Sequence, residues 1–239
     1  MDLLAAAVSA IERHCGDRDA RLIFLGDYVD RGPDSRQVVE YLMTAQQADR
    51  RLVCLRGNHE QMMLDAILKG GDSRWMWLDN GGEQTLRSYG AFDIEEARAK
   101  VPDEHLRWMS QLPLTSGDEH RIYVHAGILP STPLEQQKPE TLIWIRERFL
   151  RAKSRQFDRH IVHGHTPMWE GKPEMGRPEL LPHRTNLDTG AYETGILSVG
   201  VFPAQMQGGP AEGIQVSSAI EDAPSIQVFA PSVARKRLW

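Results

Sequence analysis

Two short apolar segments near the N-terminus are each followed by an amphipathic helical pattern, and this alternation permits few folds. The apolar segments are residues 21–25 and 52–55, and a glycine lies at or just after the end of each. The helical patterns, with apolar residues three and four positions apart, cover residues 38–43 and 62–68. A further helix is predicted over residues 1–14. Strand–helix alternation of this kind predicts βαβ units in an α/β fold.

Strand patterns become denser in the second half of the chain. They cover residues 122–125, 160–163, 195–201 and 225–229. Their closer spacing predicts one second sheet that contains these strands and packs against the first sheet. With 41% hydrophobic residues in 239, the chain can bury a full core, so we expect a single domain over residues 1–239.

Two regions do not follow the strand–helix pattern. Residues 70–116 carry scattered charges together with Trp75 and Trp77, and we expect a helical insert that covers one edge and shapes access to a site. The tryptophan pair is expected to pack this insert. Residues 203–224 are rich in Gly, Pro, Gln and Ala, which predicts a mobile loop.

The charge and cysteine content of the chain indicate which binding partners and which cellular compartment are expected. The formal net charge is −5 and the pI is about 6.0, so the chain as a whole does not attract nucleic acid or an anionic membrane. No run approaches the roughly 20 apolar residues that span a bilayer, and the N-terminus lacks an export signal. The two cysteines, Cys15 and Cys54, fit packing roles in a reducing compartment. We therefore expect a cytoplasmic protein whose anion site is built locally from arginines.

Polar side chains follow four of the predicted strands at the point where each strand ends. They are Asp27, Asn58, His125 and His165. Because the carboxyl ends of neighbouring strands meet at a crevice, these side chains are expected to lie together. Carboxylate, amide oxygen and imidazole ligands suit a divalent ion such as Mn, Fe or Zn.

Four motifs carry a resemblance to a known family. Gly-Asp-Tyr-Val-Asp-Arg-Gly lies at residues 26–32 and Leu-Arg-Gly-Asn-His-Glu at 55–60, followed by His-Ala-Gly at 125–127 and Gly-His-Thr-Pro at 164–167. In this order they resemble the signatures of bacterial-type PPP serine/threonine phosphatases, which belong to the calcineurin-like metallophosphoesterases. The resemblance implies a four-layer αββα sandwich with a two-metal centre between its sheets.

The resemblance also assigns the metal ligands. Asp27 corresponds to the carboxylate that bridges the two metals, while Asn58, His125 and His165 correspond to the ligands of the second metal. Two Mn ions are expected in the complete protein, with Fe or Zn as alternatives. A water shared by two such ions loses a proton and attacks phosphorus directly.

Further residues resemble the family's catalytic and phosphate-binding groups. His59 corresponds to the general acid that protonates the leaving oxygen, with Asp30 orienting its ring and raising its pKa. Arg31 and Arg56 correspond to the pair that grips the phosphate. Arg146 is expected to join them.

Some of these residues also have plain structural interpretations. Outside the motif, Asp27 and Asp30 would most often cap the following helices. His163 and His165 lie two residues apart and would share one face of an extended strand, so either could bind a metal. Asp188, within Asn186-Leu187-Asp188-Thr189-Gly190, either belongs to the site or orders a turn near it, and the turn is the safer interpretation.

One family motif is absent from this sequence. The family places Gly-Asp-x-His-Gly ahead of the first helix, where its Asp and His bind the first metal, whereas this chain begins within that helix. We expect Met1 to be an internal residue of a longer reading frame. The 239-residue chain would then lack the family's first strand and its loop, and we expect it to hold one metal with low activity.

The resulting functional prediction is hydrolysis of phosphomonoesters by a metal-bound hydroxide. Phosphoserine and phosphothreonine in proteins are the expected substrates. The alternatives are hydrolysis of a dinucleoside polyphosphate such as diadenosine tetraphosphate, and a weakly active or inactive phosphate-binding protein.

Overall fold

A computed structural model describes residues 1–167, 176–217 and 225–229. Its helices are α1 (Asp2–Cys15), α2 (Ser35–Ala48), α3 (Asn58–Leu68), α4 (Ser73–Trp77), α5 (Glu83–Ser88), α6 (Ile94–Lys100), α7 (Asp103–Gln111), α8 (Pro139–Trp144), α9 (Glu147–Leu150) and α10 (Ala191–Thr194). A π-helical turn, Leu78–Gly82, joins α4 to α5, and two 3-10 turns lie at Leu134–Gln136 and Ser154–Gln156. Among these described helices, none has the length and apolar character that crossing a membrane requires.

The described strands form three hydrogen-bonded sheets. They are β1 (Leu22–Phe24), β2 (Leu52–Cys54), β3 (Thr115–Gly117), β4 (Arg121–Val124), β5 (His160–His163), β6 (Glu179–Leu181), β7 (Arg184–Asn186), β8 (Ile196–Val201), β9 (Glu212–Ser217) and β10 (Ser225–Phe229). β1 and β2 pair in parallel. The five-stranded sheet has the order β3-β4-β5-β7-β6, with β4, β5 and β7 parallel. The third sheet is antiparallel, in the order β10-β9-β8.

The β1–β2 sheet packs face to face against the five-stranded sheet. Successive side chains of a strand point to opposite faces, and on one face Ile23 and Val53 join Leu55 in a cluster with Tyr123 of β4 and Val162 of β5. This contact is the boundary between the two inner layers. The carboxyl ends of β1, β2, β4 and β5 consequently come close to one another.

Helices cover the outer faces of both layers. Phe24 and Cys54, on the other face of the β1–β2 sheet, pack against Leu42 of α2. Leu42 is 1% exposed, and full burial of a leucine contributes about 1.5–3 kcal/mol. Ala7 of α1 packs similarly against Ile214 of β9.

The five-stranded sheet is covered on its outer face by α8 and α9. Leu142 and Phe149 from these helices pack against Ile122 and Ile161 of β4 and β5. The order of layers is therefore helices, sheet, sheet, helices, which confirms the predicted αββα sandwich.

Residues 70–116 contain α4 to α7 and the π-helical turn, and they end in β3. Their apolar side chains, including Trp77, Leu86, Ile94 and Met109, form one cluster with Met63 of α3. The insert thus packs directly on the helix that begins at Asn58, so it is anchored beside the predicted site.

The predicted grouping of the later strands is wrong. Residues 122–125 and 160–163 do lie in one sheet, but residues 195–201 and 225–229 belong to the separate sheet of β8, β9 and β10. Strand β7, which the sequence patterns did not predict, pairs with β5 and completes the five-stranded sheet instead.

The loop predicted over residues 203–224 must also be corrected. It contains β9, whose Ile214 and Val216 are buried beneath α1. Ahead of β9, the fully buried Arg121 donates hydrogen bonds to the carbonyl oxygens of Pro203, Met206 and Gly208. These contacts hold residues 203–208 against the body of the protein, whereas residues 218–224 lie outside the described residues.

Both cysteines are free. Cys54 is fully buried in the β1–β2 sheet, and burial raises the pKa of its thiol to about 12. A thiol that stays protonated in the core is a packing residue rather than a nucleophile.

Candidate active site

The structure brings the four predicted metal ligands together at the strand ends. His125 Nε2 and His165 Nδ1 each lie 2.9 Å from Asn58 Oδ1. Asp27 Oδ1 lies 3.4 Å from His125 Nε2. The ligand atoms of Asp27, His125 and His165 all fall within 4.8 Å of one another. The sequence prediction that these side chains share one crevice is therefore met in their geometry.

The donor set of this cluster fits a cation. His125 Nδ1 lies 2.8 Å from the carbonyl oxygen of Leu25, which can only accept a hydrogen bond, so Nδ1 carries the ring proton. The lone pair of Nε2 then faces the oxygen atoms of Asn58 and Asp27. Asp27 Oδ1 also accepts the backbone N–H of His59 at 3.2 Å, but the Nε2 lone pair still faces two oxygen acceptors, and a divalent cation between them would turn this repulsion into coordination.

His165 is kept neutral, as a metal ligand must be. Burial, together with the charge of Arg146, lowers the pKa of the ring to about 3. Arg146 Nε donates a hydrogen bond of 3.1 Å to His165 Nε2. Arg146 is thus the predicted arginine that touches the ligand cluster directly.

A second group of predicted residues, His59 and Asp30, forms a buried pair. His59 Nδ1 lies 2.7 Å from Asp30 Oδ2, and the two side chains are 4% and 0% exposed. Burial alone disfavours the charged ring, but the hydrogen bond to Asp30 and the negative charges of Asp27 and Asp30 outweigh it and raise the pKa of His59. The pair is therefore built to hold a proton on His59.

Four site residues have backbones in the left-handed region. The φ angles of Asp27, Asp30, Arg31 and His165 are 61°, 75°, 64° and 65°. Such conformations cost about 1–3 kcal/mol for each residue other than glycine and persist where the surroundings enforce them. Their concentration here shows that the fold holds these side chains against local preference.

Glu60 supplies part of that enforcement. Its buried carboxylate accepts hydrogen bonds from the backbone N–H groups of Asp27, Tyr28 and Gly57, at 3.0, 2.6 and 2.8 Å. Burial, followed by the charge of Asp27, raises its pKa. Glu60 ties the loop after β1 to the loop after β2. The sequence prediction gave it no role, although the spacing from Gly57 to Glu60 is that of a helix-capping box.

The loops approach each other so closely that Gly57 has no substitute. A Cβ atom at this position would lie 2.2 Å from Asp27 Oδ1 and 2.7 Å from the Asp27 backbone nitrogen. Glycine is the residue that permits such an approach.

The other two predicted arginines make contacts away from the ligand cluster. The guanidinium of Arg31 lies 4.4 Å from the ring centre of Tyr192. Arg56, half-buried, donates from Nη1 to the carbonyl oxygen of Ser110 at 3.4 Å. Its Nε is buried without a partner among the described residues, so this donor is free to bind a ligand anion.

His163 faces away from the cluster, which removes it as an alternative ligand. It is fully buried, accepts a hydrogen bond of 3.2 Å from Arg184 and packs on the ring of Phe149. Burial lowers its pKa to about 3. The expected shared face fails because the strand ends at His163 and His165 takes a left-handed backbone.

Asp188 forms a turn. Its carboxylate accepts the backbone N–H of Gly190 at 2.9 Å, and its own N–H donates to Asn186 Oδ1 at 3.0 Å. Burial raises the pKa of its carboxyl. The structure therefore agrees with the turn interpretation of this residue.

Trp77 is another residue whose place in the site the sequence did not predict. Besides packing the insert, its indole Nε1 donates a hydrogen bond of 2.9 Å to Asp30 Oδ1. Nothing in the local sequence relates Trp77 to Asp30, because the contact depends on how the insert folds.

Comparison with known proteins places this arrangement in a family. The family model of the calcineurin-like phosphoesterases matches residues 2–192. Serine/threonine-protein phosphatase 1 of Salmonella typhimurium is 29% identical over 180 residues, which are 74% of this chain and 76% of that protein. The asymmetrical bis(5'-nucleosyl)-tetraphosphatase PrpE of Anoxybacillus flavithermus is 26% identical over 198 residues, 77% of this chain and 76% of that protein.

Two further similar proteins align with smaller and larger parts of this chain. The symmetrical bis(5'-nucleosyl)-tetraphosphatase of Pseudomonas syringae is 38% identical over 117 residues, which are 46% of this chain and 32% of that protein. Among solved structures, a metallophosphoesterase from Sphaerobacter thermophilus aligns with 84% of this chain and 80% of its own, at 20% identity and a TM-score of 0.49. The family match over residues 2–192, with phosphatase relatives along most of the chain, shows that this protein is a metallophosphatase of the calcineurin-like phosphoesterase family, of the PPP type.

Proposed function

We propose that the protein hydrolyses phosphomonoesters, with phosphoserine and phosphothreonine in proteins as its substrates, by direct transfer of the phosphoryl group to water. The observation that carries this proposal is the convergence of acceptor atoms at the strand ends, beside a buried histidine–carboxylate pair. The similarity to a serine/threonine phosphatase along 74% of the chain supports the choice of substrate.

We propose that a divalent cation, manganese in the first place, is held by the four clustered side chains: Asp27, Asn58, His125 and His165. A bound cation would supply the positive charge that polarises the phosphoryl group and acidifies a water molecule. The protein contributes neutral imidazoles and a fixed carboxylate. The second Mn ion implied by the family resemblance is part of the same proposal.

In this proposal His59 is the general acid. Its Nδ1 is bound to Asp30 at 2.7 Å, so Nε2 is the atom that can give a proton to the leaving oxygen. Asp30 stabilises the charged ring before the transfer. A serine or threonine alkoxide is a poor leaving group, and protonation in the transition state is worth about 100-fold to 10,000-fold in rate.

Arg31, Arg56 and Arg146 bind the phosphate oxygens. Arginine stays charged at any working pH, and its planar fork matches two oxygen atoms of a phosphate. The buried, unpartnered Nε of Arg56 supports its part in this role. Arg146 also orients the ring of His165.

Hydrolysis of a dinucleoside polyphosphate is the second candidate. It is favoured by the similarity to the asymmetrical tetraphosphatase PrpE along 77% of the chain. The buried His59–Asp30 pair speaks against the third candidate, an inactive phosphate-binding protein, because binding alone has no use for an acid aimed at a leaving group.

Turnover on three substrates with Mn²⁺ tests the proposal. Phosphate release from a phosphoserine peptide and from p-nitrophenyl phosphate, and release of nucleotide (ADP, or AMP with ATP) from diadenosine tetraphosphate, would be compared at equal enzyme concentration. We expect release from the peptide, stopped by EDTA and restored by Mn²⁺. Release from diadenosine tetraphosphate alone would favour the second candidate, and phosphate binding without turnover of any substrate would contradict an enzymatic role for this chain.

A further inference from the structure

The helical insert, residues 70–116, contacts the His59–Asp30 pair at a point where its helical geometry is interrupted. The π-helical turn Leu78–Gly82 contains Gly81 at φ 101°, which is outside helical geometry. Such turns inside helices occur frequently at functional sites. Here the turn separates Trp77, at the end of α4, from Thr85 in α5, and both side chains point at Asp30.

Asp30 is bound on both carboxylate oxygens. Oδ2 faces His59 Nδ1 at 2.7 Å, while Oδ1 accepts hydrogen bonds from Trp77 Nε1 at 2.9 Å and Thr85 Oγ1 at 2.7 Å. Thr85 Oγ1 also accepts the backbone N–H of Asp30 at 2.7 Å. One side chain of the insert thus fixes both the carboxylate and the left-handed backbone of Asp30.

We propose that Trp77 and Thr85 are positioning residues for catalysis, which hold Asp30 Oδ1 so that Oδ2 keeps His59 aimed at the leaving oxygen. This inference rests on the proposed function, because it takes His59 as the general acid. It assigns to the insert a part in the chemistry as well as in substrate access.

Burial makes these hydrogen bonds necessary. Trp77 and Thr85 are both 0% exposed, and the Asp30 side chain is fully enclosed as well. An enclosed carboxylate has no water to replace a lost donor, so each donor from the protein determines its orientation. Removal of one donor leaves the carboxylate free to turn away from His59.

The same turn also holds Arg31. The backbone N–H of Arg31 donates to the carbonyl oxygen of Gly81 at 3.1 Å, and a Cβ atom added to Gly81 would lie 2.7 Å from Arg31 Cγ. The insert therefore fixes two consecutive residues of the catalytic loop, and glycine at position 81 permits the approach.

The first test compares leaving groups. Trp77→Phe removes the donor and keeps most of the packing, while Trp75→Phe is the matched control, because Trp75 lies on the same helix and is 63% exposed. W77F should lower kcat about tenfold on a phosphoserine peptide, a part of the general-acid contribution. On p-nitrophenyl phosphate, whose leaving group needs little protonation, kcat should stay within about twofold. W75F should change neither.

Thr85 offers a rescue experiment. Thr85→Val removes the hydroxyl at nearly constant shape and should reproduce the leaving-group dependence of W77F, whereas Thr85→Ser keeps the hydroxyl and should restore most of the activity on the peptide. Equal losses on both substrates for W77F and T85V would overturn the positioning role.

A spectroscopic measurement separates this inference from the proposed function. The proton on His59 Nδ1, bound to an enclosed carboxylate, should give a far-downfield resonance in the metal-free protein that is lost in His59→Asn. W77F should shift or broaden that resonance and W75F should not. A resonance unaffected in W77F would overturn the inference whatever the turnover. If H59N instead shows no leaving-group dependence while W77F shifts the resonance, the assignment of His59 as acid fails and the positioning of Asp30 stands.

Discussion

The two ends of the site differ in how their polar atoms are satisfied. At the acid end, the Asp30 carboxylate receives hydrogen bonds from His59, Trp77 and Thr85 within the protein. At the metal end, the lone pair of His125 Nε2 faces the oxygen atoms of Asn58 and Asp27 at 2.9 and 3.4 Å. One end is complete by itself, and the other is where the proposed cation would bind.

This difference arises because the residues at the two ends are supplied by different structural elements. The acid end is enclosed by the insert, which supplies donors from α4 and α5. The metal end lies where strands of two sheets end, and each strand contributes one acceptor. Substitution of a residue at the metal end should therefore weaken metal binding and leave proton transfer by His59 nearly unchanged. Substitution at the acid end should do the reverse.

The largest effect is expected for Asp27→Asn. It removes the charge that would face the cation while keeping the size of the side chain, and asparagine tolerates the left-handed backbone at this position. Mn²⁺ affinity should fall by more than about 100-fold. Loss of a residue that only supports a metal ligand lowers affinity by up to about 100-fold, and loss of a ligand itself should cost more. Turnover should fall with it.

Calorimetric titration with Mn²⁺ and rates in saturating Mn²⁺ measure both quantities for D27N. The free energy of unfolding in EDTA serves as the control and should not fall. Unchanged Mn²⁺ affinity in D27N would show that the metal end is wrongly assigned.

His59→Asn should break the acid end alone. The rate on a phosphoserine peptide should fall about 100-fold to 10,000-fold, because the general acid is lost, and the loss on p-nitrophenyl phosphate should be much smaller. Mn²⁺ affinity, measured by the same titration, should stay within about twofold because His59 is no ligand. A large loss of metal affinity in H59N would mean that the two ends are not separable.

His160 lies outside both ends of the site, and its titration should make the stability of the folded protein depend on pH. Burial lowers the pKa of His160, on β5, to about 4. The unfolded chain binds this proton near pH 6.5, so His160 contributes stability above that pH, and the contribution is lost as pH falls towards 4. At pH 4.5 the loss is at most about 2–3 kcal/mol.

His160→Gln removes this titration and keeps a polar side chain beside Thr185, to which His160 hydrogen bonds at 2.8 Å. Urea unfolding at pH 7 and pH 4.5 should show a smaller difference in H160Q than in the wild type. Equal differences in the two proteins would show that His160 does not titrate as proposed.

The smallest effect is expected for Arg146→Ala. Arg146 is exposed and contacts the metal end through His165, so its loss should raise KM about tenfold, the value of one charge-assisted hydrogen bond. Arg148→Ala is the matched control, because Arg148 lies two residues away and is also exposed. Equal KM values for R146A and R148A would remove Arg146 from the phosphate-binding set.

The sequence predicts those parts of the site that depend on strand ends. Each short apolar run ends where its polar residue begins, and parallel strands bring such residues together, so Asp27, Asn58, His125 and His165 could be grouped without coordinates. The αββα layers followed in the same way from the alternation of patterns and from the family motifs.

What the sequence did not predict depends on contacts distant along the chain. β9 lies in a Gly- and Pro-rich segment, and its burial becomes visible only beneath α1. His163 and His165 separate because the strand ends between them. Trp77 reaches Asp30 across 47 residues, and local patterns carry no information about such pairs.

The central claim is that the strand ends deliver their ligands to one cation. Anomalous diffraction at the manganese edge, from crystals grown with Mn²⁺, tests it most directly. We predict a peak about 2 Å from Asn58 Oδ1 and His125 Nε2, next to the carboxylate of Asp27 and the ring of His165. Crystals saturated with Mn²⁺ that show no peak among these atoms would contradict the account.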